Sequence, residues 1–79
     1  MTYKRVTVFT HPACSASKIV KEYLSFEHIL YEEIDIVKNP DGRKKMIEQY
    51  HSHATPTVVV SGKVIKGLNL ERLEQILKG

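Results

Sequence analysis

The segment that most restricts the fold is Thr-Pro-Thr-Val-Val-Val, residues 55–60, together with the turn that follows it. Three consecutive valines after a proline are typical of a strand that is buried on both faces. Ser61-Gly62 has the composition of a tight hairpin turn, and residues 63–66 then return as an antiparallel partner. We therefore expect a hairpin whose first strand lies in the middle of a sheet.

The rest of the chain alternates between strand-like and helix-like segments. Residues 4–10 and 30–37 have strand composition, whereas residues 15–26 and the segments that begin at Asn39 and Asn69 have apolar residues at helical spacing. The apolar faces of the three helices are formed by Ala16, Ile19, Val20, Tyr23 and Leu24, by Met46, Ile47 and Tyr50, and by Leu70, Leu73, Ile76 and Leu77. The order β-α-β-α-β-β-α predicts an α/β fold with a mixed four-stranded sheet and three helices. The first two strands should be parallel because a helix joins them, and the valine-rich strand should lie beside the first.

Length and composition indicate one small globular domain, residues 1–79. The chain has 79 residues, 42% of them hydrophobic and 27% charged, and no apolar run approaches the roughly 20 residues of a membrane span. No signal-peptide core follows Met1, and a single cysteine cannot form an internal disulfide. We therefore expect a cytoplasmic protein in a reducing compartment, a monomer with no membrane partner.

The basic residues do not point to nucleic acid. The formal net charge is +3, and the one cluster of bases is Arg43, Lys44 and Lys45. No aromatic residues are interleaved with them, so we interpret the cluster as a solvated helix face and expect no nucleic-acid partner.

The only cysteine, Cys14, falls where the first strand turns into the first helix. The free N–H groups and partial positive charge of a helix N-terminus stabilise a thiolate, so we expect the pKa of Cys14 to be lowered and its sulfur to be nucleophilic. Ser17 lies three residues later, in the first helical turn. Its hydroxyl either donates a hydrogen bond to the thiolate or is an ordinary polar residue of that turn, and the spacing alone leaves both open.

The residues around Cys14 belong to a wider pattern. That pattern is carried by Thr10, Pro12, Cys14, Ser17, Pro56 and Gly67. In kind, spacing and element order it resembles the glutaredoxins and the small glutaredoxin-like redoxins, over essentially the whole chain. The resemblance implies a thioredoxin-like fold and a glutaredoxin-like thiol–disulfide oxidoreductase, which reduces protein disulfides or glutathione mixed disulfides.

The resemblance also implies roles for individual residues. Cys14 would attack the disulfide, and the Thr55–Pro56 peptide bond would be cis and lie against the cysteine. The residues implied in substrate or glutathione binding are His11, Pro12, Thr55, Pro56, Gly67, Leu68 and Asn69. The family typically has a glycine pair and an acid where this chain has Gly67, Leu68 and Asn69. No tightly bound cofactor or metal is implied, and glutathione would be a co-substrate.

Ser17 stands where most dithiol members of that family have a second cysteine. A mixed disulfide on Cys14 must then be resolved by an outside thiol. Glutathione or a thioredoxin-reductase-type flavoprotein would supply the electrons, and the targets would be proteins that contain disulfides. The serine fits either a natural single-cysteine site or a cysteine-to-serine form that traps an intermediate of a dithiol redoxin.

Two metal-binding alternatives remain open at this point. Two chains could share a [2Fe–2S] cluster through two Cys14 thiolates and two glutathione thiolates, although the iron–sulfur class typically has C-G-F-S where this chain has C-S-A-S. A zinc site could combine Cys14 with His11, His51 or His53. Their spacing matches neither a zinc finger nor a zinc ribbon.

Overall fold

The computed structural model describes residues 5–78, and its elements follow the predicted order. They are β1 (Val6–Thr10), α1 (Ser15–Phe26), β2 (Glu32–Asp35), α2 (Pro40–Glu48), β3 (Thr57–Val60), β4 (Lys63–Lys66) and α3 (Leu70–Lys78). The predicted bounds of α1 and β4 are confirmed. The predicted first strand began at Lys4, which lies outside the described residues.

The four strands form one mixed sheet in the order β2-β1-β3-β4. β1 runs parallel to β2, with Thr7 opposite Glu32, and antiparallel to β3, with Val8 opposite Val58. β3 pairs with β4 as an antiparallel hairpin. The expected central position of the valine-rich strand is therefore confirmed. Because β3 runs opposite to β1, the start of β3 and the end of β1 meet at the same edge of the sheet.

The sheet separates two apolar clusters. The larger one consists of Val6, Val8, Val20, Leu24, Val58, Val60, Ile65, Leu73 and Ile76, and it packs the sheet against α1 and α3. The smaller one consists of Phe9, Met46 and Val59 on the face covered by α2. Successive residues of β1 thus enter opposite clusters, as the side chains of a strand that is covered on both faces must.

Asparagine side chains begin two of the helices, as the sequence predicts. Asn39 Oδ1 accepts a hydrogen bond from the N–H of Gly42 at 2.8 Å, and Asn69 Oδ1 accepts one from the N–H of Arg72 at 3.0 Å. Each bond satisfies an N–H group that the first turn of a helix leaves unpaired. Across residues 5–78, no helix combines the length and the apolar character that a membrane crossing requires.

Two expectations from apolar periodicity are wrong in detail. The second strand covers only Glu32–Asp35 instead of residues 30–37, and Leu30 and Val37 are 89% and 57% exposed. The pairing with β1 extends only from Thr7 to Thr10, so the flanking apolar residues have no partner strand. Ile19 is 41% exposed, because α1 buries a narrower stripe than the one predicted.

Candidate active site

Cys14 is the N-cap residue of α1 and lies at the sheet edge where β1 ends. Its backbone is extended (φ −96°, ψ 107°), and its side chain makes no capping hydrogen bond. Serine, threonine, aspartate or asparagine usually fills this position and accepts N–H groups of the first turn. In this protein the N-cap residue is a half-buried cysteine, and the first turn of α1 contains no acidic residue. The helix N-terminus is therefore free to stabilise a negative charge on the sulfur.

The segment before β3 lies against one side of the Cys14 thiol. Cys14 Sγ donates a hydrogen bond to the carbonyl oxygen of Thr55 at 3.4 Å. The Thr55–Pro56 peptide bond is cis, as the family resemblance implied. Pro56 is buried beneath the site, whereas Thr55 is only half-buried. The backbone of Thr55 thus borders the sulfur at a partly open position.

The structure brings Ser17 to the sulfur as well. Ser17 Oγ is buried and has no hydrogen-bond partner among residues 5–78 while the Cys14 thiol donates to Thr55. Once the thiol loses its proton, the sulfur becomes an acceptor for this hydroxyl. A hydrogen bond from the Ser17 side chain is the largest influence on the pKa of Cys14, which is lowered from its ordinary value. Burial opposes this shift, while the Thr55 side chain and the backbone N–H groups of Ser17 and Ala16 add to it.

His11 and Pro12 form the turn between β1 and Cys14. The His11 carbonyl oxygen accepts the N–H of Cys14 at 3.0 Å, and His11 Nδ1 accepts the N–H of Ala13 at 3.0 Å. Pro12 and Ala13 are exposed. The imidazole is therefore part of the turn that carries the cysteine, a contact that the sequence did not indicate.

Gly67, Leu68 and Asn69 lie beyond β4, on the same edge of the sheet. The N–H of Gly67 donates to the carbonyl oxygen of Pro56 at 2.8 Å, which ties this segment to the loop beside Cys14. Gly67 has φ +82°, a left-handed conformation that favours glycine. Leu68 is 46% exposed, and Asn69 is engaged at the start of α3. The binding roles of these residues remain predictions.

A buried pair of hydroxyls supports the Thr55–Pro56 loop, and sequence reasoning missed it. Ser52 is only 1% exposed, and its Oγ lies 2.7 Å from Thr57 Oγ1. Thr57 Oγ1 also donates to the carbonyl oxygen of Ala54 at 2.6 Å. In the sequence, only Thr57, the threonine after the proline, pointed to such a pair. Ser52 belongs to no helical or strand periodicity that would predict its burial.

A second polar network connects α1 to the strands near the site. Glu33 Oε2 accepts hydrogen bonds from Thr10 Oγ1 at 2.8 Å and from Lys21 Nζ at 3.0 Å. The Thr10 hydroxyl is the main cause of the lowered pKa of Glu33, and Lys21 adds to it against the effect of burial. Sequence patterns do not indicate this network, since its three members lie on three different elements.

The histidines do not complete a metal site with Cys14. Within residues 5–78, the structure contains no group of three or more histidine, cysteine, aspartate or glutamate side chains that is placed to hold a metal ion. His11 is engaged with the backbone of its own turn, while His51 and His53 are exposed. A zinc site built from these residues has no support in this geometry.

Comparison with known proteins points to one family. Residues 6–65 match the family model described as Glutaredoxin. A crystallised variant of a thioredoxin-like protein is 38% identical, covers 94% of this chain and 95% of its own, and has a TM-score of 0.92. A crystallised glutaredoxin from Archaeoglobus fulgidus is 32% identical over 96% of this chain and 88% of its own, with a TM-score of 0.81. NrdH-redoxin from Escherichia coli is 17% identical over 91% of this chain and 93% of its own. Its TM-score of 0.82 shows a shared fold alone.

Proposed function

Because this chain belongs to the glutaredoxin family, whose members are redox oxidoreductases, we propose that it reduces disulfides with Cys14 as its single nucleophile. The observation that supports this proposal best is the environment of the sulfur. Cys14 is half-buried at the N-terminus of α1, its pKa is lowered, and it borders the partly open backbone of Thr55. A structural cysteine would be inert and enclosed in apolar surroundings.

In the first step, the Cys14 thiolate attacks one sulfur of a protein disulfide or of a glutathione mixed disulfide. The substrate S–S bond breaks, a new S–S bond forms to Cys14, and the departing thiolate takes a proton from water. The backbone of Thr55 provides an edge on which an extended substrate segment binds as a short additional strand. The Ser17 hydroxyl stabilises the thiolate before attack and again when Cys14 later leaves as a thiolate.

In the second step, an outside thiol resolves the mixed disulfide on Cys14. Its thiolate attacks the group that is bonded to Cys14, Cys14 departs as a thiolate, and the outside thiol and that group leave together as a disulfide, while the thiol released in the first step is the reduced product. We propose glutathione, or a flavoprotein reductase that acts on dithiol carriers, as the source of electrons in a cytoplasmic setting. The Escherichia coli NrdH-redoxin is described as a glutaredoxin-like protein with a thioredoxin-like activity profile, so both donors belong in the test.

The test is turnover of a glutathionylated peptide with glutathione as reductant, followed by intact mass. We expect fast release of the peptide and a transient adduct of about 305 Da on Cys14, which corresponds to one disulfide-bonded glutathione. Cys14→Ser is the control that should lose both the adduct and the turnover. Ser15→Ala changes a neighbouring exposed residue of the same turn and should keep both.

The outcomes separate the parts of the proposal. Fast turnover with a transient adduct establishes the single-cysteine mechanism and the use of glutathione. A lasting adduct that only a flavoprotein reductase system removes would retain the nucleophile and reject glutathione as donor. No adduct and no turnover with either donor would overturn the assignment of Cys14 as a redox nucleophile.

A further inference from the structure

His11 accepts two hydrogen bonds from the residues that follow it. Its carbonyl oxygen accepts the N–H of Cys14, and its Nδ1 accepts the N–H of Ala13, both at 3.0 Å. An imidazole nitrogen that accepts a hydrogen bond carries no proton, so the neutral ring of His11 has its proton on Nε2. The tautomer is assigned from this bond. A ring protonated on both nitrogens cannot make the contact with Ala13.

These two bonds fix the position of Cys14. They engage the N–H groups of Ala13 and Cys14, just ahead of the helix, whereas the N–H groups of Ala16 and Ser17 help to lower the pKa of Cys14. The Ser17 hydroxyl is buried without a partner among the described residues until the sulfur turns toward it as a thiolate. The sulfur reaches all of these donors only while the turn before it holds its shape.

We propose that His11 is a positioning residue, whose neutral imidazole holds the turn that aims Cys14 and whose protonation releases it. The proposal rests on the proposed role of Cys14 as nucleophile. It makes the reactivity of Cys14 depend on the protonation of His11 as well as on the ionisation of the thiol. Histidine is the side chain that ordinarily changes charge between about pH 5 and 8. The site would therefore lose alignment in mildly acidic solution, apart from the titration of the thiol itself.

The charges around His11 are consistent with such a release. The ionisable groups on the adjoining elements are Asp35 at the end of β2, Lys38 beyond it, and Cys14 and Lys18 at the start of α1. Desolvation raises the pKa of Asp35, but the N–H groups of Val37 and Lys38 and the charges of Lys38 and His11 outweigh it, so that the net shift is downward. Asp35 is thus an anion whose charge attracts a protonated His11.

A pair of substitutions tests this role. His11→Asn keeps an acceptor, since an asparagine side-chain oxygen can accept the N–H two residues ahead, but it does not titrate. His11→Ala removes the acceptor altogether. For each protein, the rate of Cys14 alkylation by neutral iodoacetamide, which follows the thiolate fraction, is measured from about pH 8 to 5 and compared with the titration curve of a single thiol. Thermal unfolding verifies that all three proteins are folded.

We expect the rate of the wild type to fall about 3- to 10-fold below the single-thiol curve toward the acidic end, because the released turn no longer keeps the sulfur near the donors that lower its pKa. His11→Asn should follow a single-thiol curve with the more strongly lowered pKa, and His11→Ala should follow one with the less strongly lowered pKa. The same pH dependence in the wild type and in His11→Asn would overturn the proposal.

The amide proton of Ala13 provides an independent measurement. In a Cys14→Ser background the thiol titration is absent, and the NMR shift of this amide should follow the titration of the His11 ring. If the chemical shift of the Ala13 amide does not change as the His11 ring titrates, the proposal is overturned even if the alkylation rates agree with it. Neither measurement requires disulfide turnover. A failure of the His11 proposal can therefore be distinguished from a failure of the proposed oxidoreductase function.

Discussion

The sulfur of Cys14 lies 3.4 Å from the carbonyl oxygen of Thr55, a residue 41 positions away in the chain. In the thiol form, the sulfur donates its proton to this oxygen, and the Ser17 hydroxyl has no partner among residues 5–78. Loss of the proton reverses these conditions, because the sulfur then faces a carbonyl oxygen that repels it and a hydroxyl that binds it. The thiolate is thereby favoured from the buried Ser17 side, while it remains beside the partly open position at Thr55.

Replacing Ser17 with alanine should lower reactivity and raise stability. The variant loses the strongest influence that lowers the pKa of Cys14, and it removes a buried hydroxyl that has no partner in the thiol form. We expect alkylation of Cys14 at mildly acidic pH to slow about tenfold and the free energy of unfolding to increase by about 1 kcal/mol. Alkylation kinetics and urea unfolding measure the two effects. Ser25→Ala, an exposed serine of the same helix, should change neither.

The lowered pKa of Cys14 also predicts how stability depends on pH. Between the lowered pKa of the folded protein and the ordinary value of 9.0, the folded sulfur is ionised while the unfolded one still binds its proton. Unfolding then takes up a proton, so the contribution of Cys14 to stability rises with pH and is lost as pH falls through the folded pKa. Urea unfolding of the wild type and of Cys14→Ala under reducing conditions measures this contribution. A difference between them that stays constant or shrinks as pH rises would contradict the thiolate assignment.

Replacing Thr57 with valine should loosen the loop that carries Thr55 and Pro56. Valine keeps the shape of the buried side chain but removes the bonds to Ser52 and to the Ala54 carbonyl oxygen. We expect a loss of about 1–3 kcal/mol of unfolding free energy, because Ser52 keeps a buried polar group with a weakened set of partners. Turnover should fall more than alkylation of Cys14, since the proposed substrate edge lies on this loop, whereas the N-terminus of α1 stabilises the thiolate. Thr7→Val, a half-buried threonine of β1, is the matched control.

Replacing Gly42 with alanine should destabilise the protein, although alanine is the better helix former. In a solvated helix the change would add about 1 kcal/mol of stability. Here the new Cβ would collide with the Ile34 side chain beneath α2 and would crowd the capping side chain of Asn39. We expect a net loss of about 1–3 kcal/mol in urea unfolding, as is typical of overpacking. Arg43→Ala, at the next and exposed position, should remain within about 0.5 kcal/mol of the wild type.

Replacing Ser17 with cysteine should allow an internal disulfide to form on oxidation. Cys14 is the N-cap of α1, and residue 17 lies within the first turn with its side chain toward the sulfur. Oxidised Ser17→Cys should therefore resist alkylation at both sulfurs until it is reduced, as mass spectrometry would show. Ser15→Cys, whose side chain is exposed, should remain open to alkylation. An oxidised Ser17→Cys that is still alkylated at both positions would contradict the geometry described here.

The sequence predicted the order of the elements and the position of Cys14 because each depends on local patterns. The valines of β3, the asparagine caps and the spacing of α1 act over a few residues. The Thr10–Glu33–Lys21 network escaped prediction because its contacts join elements that are far apart in the chain. Ser52 bonds to residues only a few positions away, but it lies in a loop, where no periodicity indicates burial. Leu30 was assigned to the second strand and Ile19 to the apolar face of α1 on residue type, whereas a short partner strand and a narrow helix interface leave them exposed.

The antiparallel placement of β3 beside β1 has a consequence for a chain that is only partly folded. A nascent or damaged chain in which β1 is not paired with β3 contains the same cysteine. It lacks the backbone edge of Thr55 beside that cysteine. If Thr55 docks substrate as proposed, such a thiol would lack the edge on which a substrate segment binds. Formation of the site beside Cys14 therefore depends on the pairing of the two central strands.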